Sequence, residues 1–222
     1  PYATVPYSLM QETDSVKVIC NDKRLDVRIL GGLKQNNPAD VMRGEETQIR
    51  GFLSIFSNFD GIICLPGTHT KWVHVSAGEV ISFRTFMSGE LFALMSKYSV
   101  LKHSVNSNGW NDQEFKSAVS ESISKPQKIF SDFFKLRADD LLNKVEKSVL
   151  RSKLSGYIIG AELAGAKPYW LGQNIVILAN DDLSKMYKAA LEGQGVFAQE
   201  MDATKCTLDG LAQAFSLICG RH

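Results

Sequence analysis

The chain has 222 residues, 44% of them hydrophobic and 22% charged, with 17 Gly and 6 Pro. That composition supports one large core or two small lobes and excludes collagen, coiled-coil and disordered classes. The 25 Lys and Arg against 24 Asp and Glu leave a net charge of +1, without the basic excess that binding a phosphate backbone requires, and no apolar run reaches the about 18 residues of a membrane span. Neither nucleic acid nor a membrane is an expected partner.

Cysteines at 20, 64, 206 and 219 form no C-x-x-C pair, and His69, His74, His103 and His222 lack partners at ligand spacing. Reduced thiols, a cytoplasmic location and no metal site are the expectation. Pro1 opens the chain with no initiator Met, charged segment or apolar segment, which resembles neither the start of a reading frame nor a signal peptide and points to sequence missing upstream.

Residues 1–20 read as extended, with Val16, Val18 and Cys20 alternating against polar neighbours. Leu25, Val27 and Ile29 continue the alternation in a strand running into Gly31-Gly32, and Asn36-Asn37-Pro38 signals a turn. Ile49, Phe52, Leu53 and Phe56 fall on one face of a helix that starts near Gly44, which puts Glu45 and Glu46 in its first turn. Acids are stabilised at that positive end whether or not they do chemistry.

Gly61 to Leu65 is a strand buried on both faces, ending at Pro66-Gly67. A hairpin follows, Lys71–Val75 and Val80–Phe86 around Ala77-Gly78-Glu79. Its period of two places Val73, Val75, Ile81 and Phe83 on one face and Trp72, His74 and Arg84 on the other. Ser88 reads as the N-cap of a helix carrying Leu91, Phe92, Leu94 and Met95.

Residues 111–166 read as mostly helix: Asn111 to Glu114 resembles a capping box, Pro126 opens a second helix, and an apolar stripe runs from Leu141 to Leu154. The Phe130, Phe133, Phe134, Leu136 stretch reads as helix core or lobe interface. A strand over Ile175–Leu178, a helix over Leu183–Leu191, a strand over Val196–Met201 and a helix over Leu208–Cys219 complete an α/β pattern with a partly parallel sheet.

Two segments carry candidate chemistry. Asp40 to Gln48 sets Gly44 before Glu45 and Glu46 at a helix start. Leu65 to Trp72 ends a buried strand in a Gly67-Thr68-His69-Thr70 turn whose backbone N–H groups and hydroxyls suit a phosphate. Their order resembles the second lobe of sugar kinases with the actin-like ATPase fold. "DVMRGEETQ", "LPGTHTKWV", "FRTFMSGELFAL" and "LSGYIIGAELAGA" resemble the 2-dehydro-3-deoxygalactonokinase family over nearly the whole chain.

The resemblance implies an α/β protein of the actin-like ATPase, ribonuclease H-like class. Residues 1–38 would be a remnant of the N-terminal lobe, and 39–222 the C-terminal lobe with a helical insertion at about 111–166. It implies ATP- and Mg²⁺-dependent phosphorylation of 2-dehydro-3-deoxy-D-galactonate on its terminal hydroxyl. Glu45 becomes the candidate base, with Glu46 the alternative because a helix turns about 100° per residue. Gly67, Thr68, His69 and Thr70 become the second phosphate loop. Lys71 is either its counter-charge or, sharing a face with Val73 and Val75, the end of the strand in solvent. Asn180, in the turn Leu178 to Asp181, matches the adenosine-binding turn without that turn's usual glycines. Arg43 and Arg84 are candidates for the substrate carboxylate.

The family's first phosphate loop has no counterpart here. The resemblance therefore implies a kinase that associates with itself or with a missing N-terminal lobe; a non-catalytic sugar-acid or nucleotide-binding module stays open as the alternative.

Overall fold

The computed structural model describes residues 1–11 and 13–220, so His222 lies outside the described residues. Its first five strands are β1 (Tyr2–Thr4), β2 (Ser15–Val18), β3 (Val27–Leu30), β4 (Gly32–Asn36) and β5 (Ala39–Met42). The strand predicted to run into Gly31-Gly32 is β3, and a further strand, β4, begins at Gly32 because the backbone changes partner between those residues. Gly31 N–H bonds to the Asp14 carbonyl, and Gly32 N–H to that of Pro1. β2 and β3 form an antiparallel ribbon; β4 lies between parallel β1 and antiparallel β5.

The chain then enters α1 (Glu45–Ile55) and the central sheet. The latter comprises β6 (Gly61–Leu65), β7 (Thr70–Ser76) and β8 (Glu79–Phe86), joined later by β9 (Ile175–Ala179) and β10 (Gln199–Asp202). Its order is β10-β9-β6-β7-β8, with β6, β9 and β10 parallel and β7 and β8 antiparallel. Ala77 and Gly78 turn the β7–β8 hairpin with positive φ values of 52° and 77°, the backbone of a two-residue turn matched to strand twist. A bulge after His74 pairs Val75 with Val80 and leaves Ile81 without a partner in the ladder. Val80 rather than Ile81 is therefore buried beside Val73, Val75 and Phe83.

The helical half comprises α2 (Ser88–Lys97), α3 (Asp112–Ser124), α4 (Ile129–Ala138), α5 (Lys147–Gly165) and the short α6 (Lys167–Trp170). α7 (Asp181–Glu192) and α8 (Ala203–Cys219) follow. Asn111 caps α3 as its sequence predicts, its side-chain oxygen accepting from Glu114 N–H at 3.0 Å. The helix expected from Leu141 does not form as one piece: a π turn over Asp139–Asn143 and left-handed Lys144 (φ 51°) break it, and α5 begins at Lys147. Of the Phe-rich stretch, Phe133 and Leu136 are buried, while Phe130 and Phe134 stay exposed. The last helix starts at Ala203, earlier than its apolar spacing indicates, because the Asp202 side chain caps it through Lys205 N–H at 2.6 Å.

Both faces of the central sheet are covered. α3, α5 and α7 bury Cys64, Trp72, Ile175 and Ile177 with Phe115, Ile159, Leu163 and Tyr187. On the opposite face Ile63, Leu65, Val73, Phe83 and Val176 meet Ile49, Phe52 and Leu53 of α1 and Cys206 of α8. Leu9, Leu33 and Met42 join that second cluster, so the first 42 residues pack on the same core as α1. Two polar links hold β4 and β5 to β8. Asp40 accepts from the Thr85 N–H and hydroxyl at 2.8 and 2.6 Å, and the Gln35 side chain accepts from Phe83 N–H at 3.1 Å. These links place the start of α1 beside the N-terminal end of β7.

Candidate active site

Gly44 has φ +106° with open space around its α-carbon, a backbone that a side chain at that position would strain. This bend turns the chain from β5 into α1 and sends the two acids different ways. Glu46 is 3% exposed, and its carboxylate folds back on its own helix start. Oε2 accepts from Gly44 N–H at 2.6 Å and Oε1 from the Thr47 hydroxyl at 3.1 Å. Burial pushes Glu46 above the ordinary carboxylate value, opposed by those hydrogen bonds. Glu45 has a side chain 25% exposed; its Oε2 accepts from Arg43 N–H at 3.0 Å, and its Oε1 lies 3.5 Å from Lys71 Nζ.

The Lys71 side chain is only 5% exposed. It does not end the strand in solvent: β7 delivers it to the start of α1, where it meets Glu45. Thr68 and His69 are exposed and Gly67 partly so. The turn is tied to α2, since Glu90 N–H donates to the Thr68 carbonyl at 2.9 Å and His69 Nε2 stands 2.6 Å from Glu90 Oε2. Gly89 makes this contact possible, because a β-carbon there would run into the Gly67 carbonyl. Ser88 is not the N-cap of α2: Met87 holds that place, and Ser88 is the first helical residue, its hydroxyl bonded to Glu162.

Thr70 turns its side chain into the protein. Its side chain is fully buried, with Oγ1 2.8 Å from the Tyr187 hydroxyl. That hydroxyl donates to Glu162 Oε2 at 2.8 Å, and Trp72 Nε1 donates to Oε1 at 2.8 Å. Burial pushes the Glu162 carboxyl up, and the hydrogen bonds from Ser88, Trp72, Tyr187 and Thr70 pull it back.

Gly67, Ser88 and Gly89 form one wall of a cavity of about 560 Å³ whose other walls come from α3, α5 and α7, within the size range of small-molecule sites. Trp110, Phe92, Ile159 and Met186 supply apolar surface; Arg151, with its guanidinium 5.0 Å over the Phe92 ring, and Lys185 supply charge. Asn180 is exposed before α7 and outside this lining, which α7 reaches through Asp182, Leu183, Lys185 and Met186 instead. The turn lacks the glycines that would open its backbone. Arg43 lies beside Glu45, its guanidinium 4.6 Å over the Tyr2 ring and donating to the Pro1 carbonyl at 3.3 Å. Arg84 is not brought to that place. It pairs across the ladder with Trp72, on the face of the sheet opposite Lys71 and Glu45, and is exposed.

The turn, the acid pair and Lys71 are the parts legible in the sequence that the fold assembles. Glu162, Tyr187 and the cavity walls from α3, α5 and α7 carry no such motif in the sequence. One signal for Glu162 exists: it is the lone charged residue in the mostly apolar run from Leu154 to Ala166, and a charge is seldom buried there without a purpose. Among the described residues no group of three His, Cys, Asp or Glu stands close enough to hold an ion.

Residues 1–214 match the family described as 2-keto-3-deoxy-galactonokinase. A protein of Rhizobium meliloti (strain 1021) named as a 2-dehydro-3-deoxygalactonokinase is 34% identical over 219 residues, 96% of this chain and 71% of the relative. The 2-dehydro-3-deoxygalactonokinase of Escherichia coli (strain K12) is 28% identical over 198 residues, 88% of this chain and 65% of that protein. A crystal structure from Sinorhizobium meliloti, named for the same enzyme, superposes with a TM-score of 0.88 at 32% identity, covering 98% of this chain and 74% of that one. With the family's match running from the first strand into the last helix, and that solved fold reproduced throughout, the chain belongs to the 2-keto-3-deoxy-galactonokinase family.

Proposed function

We propose that the chain carries the acceptor-activating and nucleotide-cradling part of a Mg-ATP-dependent kinase that phosphorylates 2-dehydro-3-deoxy-D-galactonate on its terminal hydroxyl. The observation that carries this reading is the meeting of Glu45 and Lys71 at 3.5 Å, beside a turn whose Gly67 opens onto the cavity. Phosphoryl transfer asks mainly for positioning and charge neutralisation, and this arrangement supplies a partly open carboxylate, a buried cation and a nucleotide-sized space. The strand order β10-β9-β6-β7-β8 supports placing the fold in the actin-like ATPase class.

In this reading Glu45 takes the proton of the substrate hydroxyl while its oxygen bonds to the γ-phosphorus and the bond to the β-phosphate oxygen breaks, giving the 6-phosphate and ADP. Glu46 is the less suited of the two, because its buried oxygens already accept from Gly44 N–H and the Thr47 hydroxyl. Thr68 and the Gly67–His69 backbone face the phosphates, and the ten-residue α2 directs its N-terminal end at the same turn. Arg43 is the candidate for the substrate carboxylate. A magnesium ion held chiefly by phosphates and waters, with one or two carboxylates, asks for no dedicated protein cage, and the partly open Glu45 and Glu90 carboxylates flank the turn. Partnership with a first lobe, or self-association, and a cytoplasmic location belong to the same reading.

The test is ADP release from Mg-ATP with and without 2-dehydro-3-deoxygalactonate, on this chain and on any longer product of its reading frame. Release that depends on the sugar acid is expected in at least one form. Release without it would replace the kinase by an ATPase, and none in either form by a binding module.

A further inference from the structure

We propose that Glu162 is a positioning residue that holds the Gly67–Lys71 turn against the cavity wall and thereby sets nucleotide affinity. This rests on the nucleotide reading of the cavity given above. Glu162 hangs from α5, 3% exposed, and it is not itself part of the cavity lining. Its partners are what the ligand would meet or lean on. Ser88 and Tyr187 line the cavity from α2 and α7. Trp72 and Thr70 belong to β7, the strand that continues the turn. One carboxylate therefore joins two cavity walls, α2 and α7, to the strand that continues the turn.

The direction of the hydrogen bonds is determined by chemistry. An indole N–H can only donate, so Oε1 accepts from Trp72. Oε2 accepts the Tyr187 proton, which leaves the Tyr187 oxygen to accept from Thr70. The chain runs Thr70 to Tyr187 to Glu162, and every donor in it is neutral. A carboxyl buried among neutral donors is costly to desolvate, and an amide or an apolar side chain would fill the same space at lower cost. What the carboxylate alone provides is two acceptors at one point, which orients Trp72 and Tyr187 simultaneously. Ser88 adds the link to α2, whose Gly89 packs on the turn.

Glu162→Gln keeps the shape and changes the polarity. Its amide oxygen must stay on Trp72, so its NH₂ meets Tyr187, whose proton swings to Thr70, and the turn loses its fixed donor. Calorimetric titration of the 222-residue chain with Mg-ATP and, separately, with 2-dehydro-3-deoxygalactonate reads the effect. Mg-ATP affinity should fall about tenfold, with sugar-acid affinity within about twofold of the unsubstituted chain. Tyr187→Phe should give a similar loss, and the double variant little more, because both act through one chain of bonds; it also serves if Glu162→Gln fails to fold. Unchanged Mg-ATP affinity in both variants, or equal losses for both ligands, would overturn the positioning role. An unsubstituted chain that takes up the sugar acid but no Mg-ATP would instead overturn the nucleotide reading, and this proposal with it.

Discussion

Glu45 and Glu46 are neighbours with the same chemistry, and their surroundings separate them. Glu46 spends its oxygens on Gly44 and Thr47, while Glu45 keeps a partly open carboxylate against Lys71. Sequence could place both acids in the first turn of a helix, but their different surroundings follow from the bend at Gly44, φ +106°. Glu45→Gln should lower kcat by roughly a hundredfold or more, the range of a lost general base, with Mg-ATP affinity retained. Steady-state kinetics beside calorimetric binding checks this, and turnover like the unsubstituted protein's would remove Glu45 from the role. Lys71 makes the same point from the strand side. Its period of two was readable, but whether that face met solvent or α1 depended on α1 packing there.

At the scale of elements, the turn after β6 gets its shape from α2. Glu90 N–H and the His69–Glu90 contact hold it from one side, and Gly89 allows the backbones to touch. Gly89→Ala should therefore cost about 1–3 kcal/mol, the usual penalty of overpacking, and should weaken Mg-ATP binding while sparing the sugar acid. Urea unfolding measures the first and titration the second; a stability equal to that of the unsubstituted chain would mean that the turn yields without loss. The pattern "MSGEL" reads as a helix start, and so it is. The closeness of Gly89 to Gly67 was invisible, because they lie twenty-two positions apart and only the hairpin return brings them together.

At the scale of the molecule, the central sheet is sandwiched between α3, α5 and α7 on one face and α1 and α8 on the other. Closing both faces buries titratable groups, and this gives stability a dependence on pH. Glu162 and Glu46 both have folded values raised by burial above the ordinary 4.5. Each contributes stability that is complete below that value and is lost as pH rises through the raised folded value. Glu200 works in the opposite sense, held low by Lys188 and Ser184. The difference in unfolding free energy between Glu162→Gln and the unsubstituted chain should shift in favour of Gln as pH rises from 4.5; a flat difference from pH 4 to 7 would mean that Glu162 binds its proton equally well in both states. Sequence by itself determined the alternation of strands and helices, the buried strands β6 and β9, the start of α1 and the motifs of the family, since these rest on local periodicity, turn chemistry and residue order. Tertiary structure alone decided the change of partner at Gly31-Gly32, the bulge after His74, the pairing of Lys71 with Glu45 and the network around Glu162. Each depends on which distant backbone or side chain satisfies a hydrogen bond or a charge, and that is settled only when the faces of the sheet close.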